Sequence, residues 1–317
     1  MIPVQHARRF RLHGPRGSLS AIVVCLGSML AASGLPAQEA MEPFDCPSTA
    51  FLIQGRDAFG VDLLSGEVET LATNFHIANI NGFGYNVLDD FIYGWDQEEI
   101  VRVDSNWQVE GLGAPPGTSR SNIGDVDENG HFWFITGGSW FQVDLDPDSD
   151  DFFEILNQGP VTGGGIEEFA FGRDWAYVPG AGNYLFRVMR DDSTDPGTSV
   201  LFRFDRGTGG WENLGNLGEL GANEFGAVYT DADGFLYASD NETGGIYRID
   251  VQAASAELFS LGPASGTNDG GRCHNAALAT PSGAAPTSIP TNTPWMLALL
   301  AALLALAGGH LARTRGA

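Results

Sequence analysis

Amide and carboxylate side chains stand just before each of five short segments that have the composition of β-strands. Allowing for a small uncertainty in register, these side chains are Asn81, Asn122, Asp174 (or Glu168), Glu224 and Asp269. If the five strands begin around one axis, the oxygen atoms converge there, and hard cations such as Ca²⁺ prefer oxygen ligands. We therefore predict a calcium site with Asn122, Asp174, Glu224 and Asp269 among its ligands. The competing interpretation is that Asn and Asp merely cap the loops that enter the strands.

Nucleophilic catalysis finds little support in the sequence. The chain has no lysine and no Gly-x-Ser-x-Gly motif, and its central part has three histidines, His76, His131 and His274. Of these, His274 follows Asp269 closely and is the one that the alignment of the repeats brings near the axis. Residues 125–130 look like the first half of a calcium loop, but Thr136 stands where a glutamate is needed. A hairpin turn is therefore the favoured interpretation of that segment.

The five segments belong to an internal repeat. Each copy contains a short hydrophobic strand that ends in aspartate, as in the run from Val101 to Asp104 and the run from Tyr247 to Asp250. The five aspartates are Asp62, Asp104, Asp144, Asp205 and Asp250. They recur at about 40 to 45 residues, except that the third interval is longer because it contains the polar insertion 191–197. Turn residues such as Asn129-Gly130 separate further strands, so that each copy from the second onward has four.

Four strands in about 40 to 45 residues are typical of a β-propeller blade. We therefore predict an all-β fold, a β-propeller of five four-stranded blades. The first copy lacks its inner strand, and the spare segment 269–275 can supply it, which closes the ring by pairing of the N- and C-terminal strands. This closure brings Cys273 near Cys46 and predicts a disulfide between them. A six-bladed ring, with residues 166–171 and the insertion near Asp195 as an extra blade, is the alternative.

The N-terminal residues have the pattern of a secretory signal peptide. Residues 1–37 contain arginines, then an apolar run, then small residues, and no acid. We interpret residues 38–45 as a linker and residues 46–275 as the propeller domain. The protein is therefore expected to be exported.

The C-terminal residues predict a membrane anchor. Residues 276–288 are rich in Ala, Pro, Ser and Thr and are expected to form a flexible stalk. Within residues 289–317, an apolar span that starts at Trp295 is just long enough for a transmembrane helix, and Arg313 and Arg315 follow it.

The exported part of the chain is strongly acidic. Of the 16 basic residues, all of them arginine, four precede residue 37 and two follow the apolar span, which leaves 10 against 40 acids. Nucleic acid and anionic lipid would be repelled by this charge and are not expected partners. A solvated acidic surface and a cation-binding role both agree with the charge.

Two resemblances follow from particular residues. The first concerns Ile289, Pro290, Thr291, Trp295 and Arg313 with the apolar span between the last two, which resemble the IPTL-CTERM sorting signal of Gram-negative envelope proteins. Asn292, Thr293 and Pro294 replace the usual Leu-Ser-Glu of that signal. The resemblance implies a membrane protease that recognises and processes the tail, and a location in the cell envelope or on the cell surface.

The second resemblance covers the chain from Cys46 to about Asn275, which is similar to an uncharacterised secreted bacterial domain family. The residues that carry it are Gly84-Tyr85-Asn86, Tyr93-Gly94, Gly124-Asp125-Val126-Asp127, Asp174-Trp175-Ala176, Phe202-Arg203-Phe204-Asp205 and Asn268-Asp269-Gly270-Gly271-Arg272-Cys273. The resemblance implies a propeller-like fold and secretion, and it implies no activity.

Two functions remain open from the sequence. The first is a non-enzymatic propeller, held at the envelope, that binds a protein or a glycan through loops on one rim. The second is a metal-dependent hydrolase or lyase that uses the axial carboxylates. The place of His274 distinguishes them, because an enzyme needs a general base beside those carboxylates.

Overall fold

The computed structural model describes residues 40–163, 174–191, 198–218, 220 and 224–278, and within them the chain forms β-strands joined by turns and loops. In chain order the strands are β1 (Ala50–Gln54), β2 (Asp57–Val61), β3 (Val68–Ala72), β4 (Asn81–Asn86), β5 (Phe91–Trp95), β6 (Ile100–Val103), β7 (Val109–Gly113), β8 (Gly124–Val126), β9 (His131–Thr136), β10 (Ser139–Asp144), β11 (Ile155–Pro160), β12 (Thr162–Gly163), β13 (Ala176–Tyr177), β14 (Tyr184–Asp191), β15 (Thr198–Asp205), β16 (Gly210–Asn216), β17 (Phe225–Thr230), β18 (Leu236–Asp240), β19 (Gly245–Asp250), β20 (Ser255–Leu261) and β21 (Asn268–Gly271).

These strands form five sheets, which we call blades 1 to 5. From the first strand outward, the orders are β21-β1-β2-β3, β4-β5-β6-β7, β8-β9-β10-β11, β13-β14-β15-β16 and β17-β18-β19-β20. Neighbouring strands within these orders are antiparallel. Blade 4 carries β12 as an additional strand, which continues the chain from β11 of blade 3 and pairs in parallel with β16.

The first strands of the five blades surround a common axis. Around this axis β4 contacts β8, β8 contacts β13, β13 contacts β17, β17 contacts β21, and β21 contacts β4. The contacts close a circle, so the described residues form a five-bladed β-propeller. This confirms the predicted fold and blade number over the six-bladed alternative.

The hydrophobic core lies between the blades rather than in one centre. Five clusters of buried side chains each join two neighbouring blades. Between blades 3 and 4, for example, the buried rings of Trp133 and Trp140 contact Phe204, and Phe204 contacts Trp175. Because both faces of a middle strand pack on neighbours, all five residues of β5 are buried. A single blade therefore has no core of its own.

The ring closes inside blade 1. β21, from the C-terminal side of the domain, pairs with β1 in the register Phe51↔Gly271 to Gln54↔Asn268. Cys46 and Cys273 form a disulfide next to this pairing, with 5.3 Å between their Cα atoms. Both the closing strand and the disulfide confirm the prediction. The buried guanidinium of Arg272 adds hydrogen bonds to Ser48 O, Thr230 O and Ala276 O, which join blade 1, blade 5 and the chain that leaves the ring.

The aspartate that marks each repeat has a local structural cause. It lies at the turn between the third and fourth strands of its blade and accepts a hydrogen bond from the backbone N–H two residues later. The five bonds are Leu64 N to Asp62, Asn106 N to Asp104, Asp146 N to Asp144, Gly207 N to Asp205 and Gln252 N to Asp250, at 2.8–3.0 Å. Asp is favoured in such turns because its short side chain bonds the backbone just ahead of it. Part of the acidic composition is thus explained by turns.

The segment predicted as a linker is packed against the ring. Met41 and Phe44 contact the hydrophobic clusters of blade 2, and Glu42 exchanges hydrogen bonds with Asp104 and Ser105. At the other end, Leu278 still packs on the cluster between blades 1 and 5. The compact domain therefore extends beyond the predicted limits 46–275 on both sides.

The predicted targeting features fall on residues that the structure does not describe. These are the signal peptide 1–37, most of the stalk 276–288 and the tail 289–317. Across the described residues, no helix has the length and apolar character needed to span a bilayer.

Removing the disulfide tests the closure. The double variant Cys46→Ser, Cys273→Ser should have a free energy of unfolding lower by up to about 5 kcal/mol, because the bond restricts an unfolded loop of 227 residues. Urea unfolding followed by tryptophan fluorescence measures this difference. Wild-type protein with a reducing agent is the matched control and should unfold like the variant. An unchanged urea midpoint in both would mean that closure does not depend on the disulfide.

Candidate functional site

Two buried carboxyl groups meet at the axis of the propeller. Asp269 is the second residue of β21, and Asp174 stands two residues before β13. Both are almost fully buried, and the Asp269 carboxyl raises the pKa of Asp174, so the two groups lie close together. β21 and β13 belong to blades 1 and 4, which are not neighbours in the ring. Their side chains reach each other because the contact runs across the axis.

A third carboxylate lies near this pair. Asp125, in the middle of β8, is half-buried and acts on both Asp174 and Asp269 through its charge. The neighbouring strand β4 makes room for it at Gly84, where a Cβ atom would overlap Asp125 Oδ1 and the backbone nitrogen of Val126. The glycine is therefore required by the close approach of two inner strands.

Each of the three carboxylates bonds the backbone of a neighbouring blade. Asp269 Oδ2 accepts a hydrogen bond from Gly82 N in blade 2, and Asp174 Oδ1 accepts one from Gly124 N in blade 3 at 3.1 Å. Asp125 Oδ2 accepts one from Tyr177 N in blade 4 at 2.7 Å. The inner strands of adjacent blades are not joined by a continuous ladder of backbone hydrogen bonds. The hydrogen bonds of the three carboxyl groups connect these strands instead. Much of the acceptor capacity of the three groups is used in this way.

Burial raises the pKa of all three carboxyl groups. The pKa of Asp269 rises to about 8, with burial as the main cause and the charge of Asp125 as a further one. Burial and the Asp269 carboxyl raise the pKa of Asp174 well above its usual range, and burial with the charge of Asp174 does the same for Asp125. The pKa of Tyr229 on β17, which faces the same end of the axis, is also raised, chiefly by burial and then by Asp269. The axis is thus a place where negative charge is disfavoured.

Only two of the four predicted calcium ligands lie close together. Asp174 and Asp269 meet, as the sequence predicts, but the side chains of Asn122 and Glu224 are exposed, one before β8 and one before β17. Asn81 Oδ1 accepts a hydrogen bond from the adjacent Gly82 N, which is the loop-capping alternative. In the described part of the chain, no three His, Cys, Asp or Glu side chains are placed to hold a metal ion. Calcium binding stays a prediction, without a ligand set among these residues.

His274 lies at the opposite end of the axis. The inner strands begin near Gly82, Gly124, Asp174 and Asp269, and we call this the entry end; they finish near Asp127, Tyr177 and His274, which we call the exit end. The buried ring of His274 makes an edge contact with Tyr177 at 5.0 Å between centroids. Burial lowers the pKa of His274 to about 4, so its ring is neutral at physiological pH.

Sequence reasoning missed a second polar cluster, at the exit end. Arg206 of blade 4 is buried and donates hydrogen bonds to Asp127 and Glu128 of blade 3 at 2.5 and 2.8 Å. Its guanidinium also lies 5.1 Å from the centroid of the Tyr177 ring. Asp127 Oδ1 in addition accepts the N–H groups of Asn129 and His131, so the supposed half calcium loop is the hairpin turn that was favoured. This cluster joins two blades, with one arginine between two carboxylates.

A signal for the missed axial residue was present in the sequence. Asp125 and Asp127 alternate around Val126, and side chains two apart on a strand share a face. Glycine is also adjacent to the aspartate in Gly124-Asp125 and in Asp269-Gly270, as expected where inner strands crowd an axis. Together these features could have placed Asp125 beside Asp269.

The comparison with protein families gives a clear match. Residues 65–275 match the model of DUF6923, described as a repeat of unknown function. The chain belongs to this family. The DUF6923 match begins in blade 1 and ends just after the closing strand, so it covers nearly the whole ring. No curated protein matches the chain.

Solved structures with a related shape are distant. One is from the nidogen/laminin complex, with 10% identity, a TM-score of 0.43, and coverage of 72% of this DUF6923 chain and 99% of that chain. A gluconolactonase from Xanthomonas campestris has 13% identity and a TM-score of 0.42, over 72% and 89% of the two chains. A streptogramin B lyase has 13% identity and a TM-score of 0.39, over 69% and 75%. Likenesses at this level are no guide to activity or ligand.

Substituting Gly84 tests the crowded axis. Gly84→Ala should lower the free energy of unfolding by about 1–3 kcal/mol or more, because the added methyl group meets backbone and a hydrogen-bonded carboxylate that cannot move away easily. Gly266→Ala is the matched control, since a Cβ atom there meets nothing within 4 Å and the backbone needs no positive φ. Denaturant unfolding compares them. Equal stability of the two variants would show that β4 and β8 are not tightly packed.

Proposed function

We propose that this chain is a non-enzymatic binding module of the cell envelope, which contacts a protein or a glycan through loops at one rim of the ring. The observation that carries the proposal is the division of polar groups between the two ends of the axis. Asp174 and Asp269 bond backbone N–H groups at the entry end, Asp125 bonds Tyr177 N farther along the axis, and His274 packs on the Tyr177 ring at the exit end.

The separation of His274 from the axial carboxylates weakens the enzymatic alternative. A hydrolase or lyase that used the axial carboxylates would need a general base within hydrogen-bonding reach of the bound substrate. His274 is the histidine that the sequence brought closest to Asp269, and its ring is turned towards Tyr177 and the Glu128 side of the molecule. The carboxylates themselves serve as connectors between blades. These features support binding over catalysis as the role of the domain.

The proposed location follows from the ends of the sequence. Residues 1–37 have the pattern of an export signal, and residues 289–317 combine an apolar span with Arg313 and a resemblance to a Gram-negative sorting signal. The disulfide agrees with an oxidising compartment outside the cytoplasm. We therefore propose export, anchoring by the C-terminal helix, and processing of the tail by a membrane protease.

The direction in which the chain leaves the ring suggests which rim meets the partner. Cys46 is bonded to Cys273, and Arg272 holds the carbonyl groups of Ala276 and Ala277, so both described ends of the chain leave from the exit end. An anchor attached there turns the exit end towards the membrane. The loops of the entry end, which include 73–80, 114–123 and 262–267, then point away from it and carry the proposed contact.

One apolar side chain at the entry end is unusually exposed. Ile77, in the loop between β3 and β4, has 86% of its surface accessible, more than Leu88 at 44% in the β4–β5 turn of the exit end. Exposed aliphatic side chains on functional loops are favourable contact points because their burial in a complex removes apolar surface from water. Ile77 therefore marks the rim that we assign to the partner.

The proposed anchor can be tested by truncation. A chain that ends at residue 288 should be found in the soluble envelope or extracellular fraction, whereas the full chain should remain in the membrane fraction, because the truncated chain lacks the apolar span. Cell fractionation followed by immunoblotting measures both. If the full chain and the truncated chain fractionate alike, the tail does not anchor the protein.

The proposed rim can be tested by site-specific crosslinking in living cells. A photoreactive phenylalanine analogue in place of Ile77 should form a crosslink to the partner, detected as a shifted band and identified by mass spectrometry. The same analogue in place of Leu88 is the matched control at the exit end. Crosslinks from Leu88 alone would reverse the orientation, and the absence of crosslinks from either position would contradict a binding role.

A further inference from the structure

Two neighbouring leucines on the outer strand of blade 5 are exposed. Leu258 and Leu261 of β20 leave 56% and 65% of their surface accessible. Of the large apolar side chains in the residues that the structure describes, Ile77 alone is more exposed. The two leucines lie on the same face of the blade, because Phe259 is an extra residue between them in the pairing of β20 with β19. Single apolar side chains on a surface are ordinary, whereas neighbours form a patch.

The internal repeat shows that the fold does not require leucine at these places. In every blade, the third-strand residue three positions before the repeat aspartate pairs with a residue of the fourth strand, and this partner is exposed in all five. The partners are Thr70, Gly111, Gln158, Asn213 and Leu258. In the three blades whose printed pairing reaches two positions further, the partners are Pro160, Asn216 and Leu261. Among these pairings, those of blade 5 alone contain leucine, so the patch is not part of the general structure of a blade.

The face that bears the two leucines carries no charged side chain on β19 or β20. The other side chains on this face are Tyr247, Ile249 and Ala256, and they pack in the cluster between blades 4 and 5. Arg248 and Glu257 form an ion pair on the opposite face, since successive pairs alternate between the faces of a sheet. The leucine patch is therefore uncharged, in an exported part of the chain that has 10 arginines against 40 acids.

We propose that the patch formed by Leu258 and Leu261 is a contact between two copies of this chain. Two acidic copies repel each other over most of their surface, and an uncharged apolar face is a place where they can approach. Such a face is complementary to itself, so in a two-fold symmetric dimer each leucine patch meets the same patch of the other copy. A basic partner protein would be attracted to the acidic surfaces instead.

The size of the patch indicates a weak dimer. Stable, specific interfaces bury about 1,200–2,000 Å² in total, and two leucines from each copy supply only the apolar centre of such a contact. The dimer therefore forms where the chain is concentrated. In the anchored chain proposed above, two copies share one membrane, which raises their effective concentration. This last step rests on the proposed anchor, which the truncation tests separately.

Cysteine crosslinking of the full chain in cells tests the contact. Two copies with different epitope tags are expressed together, both with Leu258→Cys, and are treated with a short bismaleimide. A band of twice the mass of the chain should carry both tags. Gln158→Cys is the matched control, because Gln158 is exposed at the same place in blade 3, and its band should be faint. Wild-type chain is the negative control, since its Cys46 and Cys273 are bonded to each other.

Removing the second leucine tests whether apolar burial holds the copies together. Leu261→Asn, added to Leu258→Cys, should weaken the two-tag band by about tenfold, because each copy loses apolar surface that the contact buries. The fold accepts asparagine at this place, as Asn216 of blade 4 shows. Leu156→Asn with the same Leu258→Cys is the control and should leave the band unchanged, since Leu156 is an exposed leucine on the outer strand of blade 3.

Four results would overturn the contact between copies. These are equal bands from Leu258→Cys and Gln158→Cys, no band from Leu258→Cys, an adduct with one tag and a different mass, and a band that Leu261→Asn leaves unchanged. The first indicates random collision, and the third shows that a different protein covers the patch. A strong two-tag band from a chain that fractionates as soluble would keep the dimer and contradict only the anchor.

Discussion

The pairing of β21 with β1 is the interaction on which the rest of the structure depends. Every blade buries both of its faces against neighbours, so none is stable until the circle is complete. The completing strand comes from the far end of the domain, and bringing the two ends together costs conformational entropy. The disulfide Cys46–Cys273 and the buried Arg272 lie beside this pairing and oppose that cost. The strongest long-range restraints of the chain are thus concentrated where the ring would open.

A ring of only five blades brings the inner strands close together. Residues near the axis are accordingly small where strands approach, as at Gly84 and Gly270, where a Cβ atom would overlap its neighbours. The same closeness lets Asp174 and Asp269 meet from blades that are not adjacent. The binding role that we propose places recognition at the loops around the rim.

Part of the high acid content has a structural explanation. An aspartate caps the turn between the third and fourth strands of every blade. Arginine and glutamate pair across the third and fourth strands in three blades, with each arginine lying over an aromatic ring. These pairs are Arg102–Glu110, Arg203–Glu212 and Arg248–Glu257. They are partly exposed and contribute little stability individually. Charge alone is therefore weak evidence for a cation ligand in this protein.

The sequence by itself determined the repeat, the number of blades, the closing strand and the disulfide, because these depend on local turn chemistry and on the spacing of strands along the chain. It also placed Asp174 and Asp269 at the axis. Only the tertiary structure decided that Asp125 joins them while Asn122 and Glu224 do not, since a shift of one residue in a strand turns a side chain to the other face. It likewise decided that His274, five residues after Asp269, lies at the other end of the axis. The two residues are far apart in space because the extended strand β21 runs along the axis between Asp269 and His274.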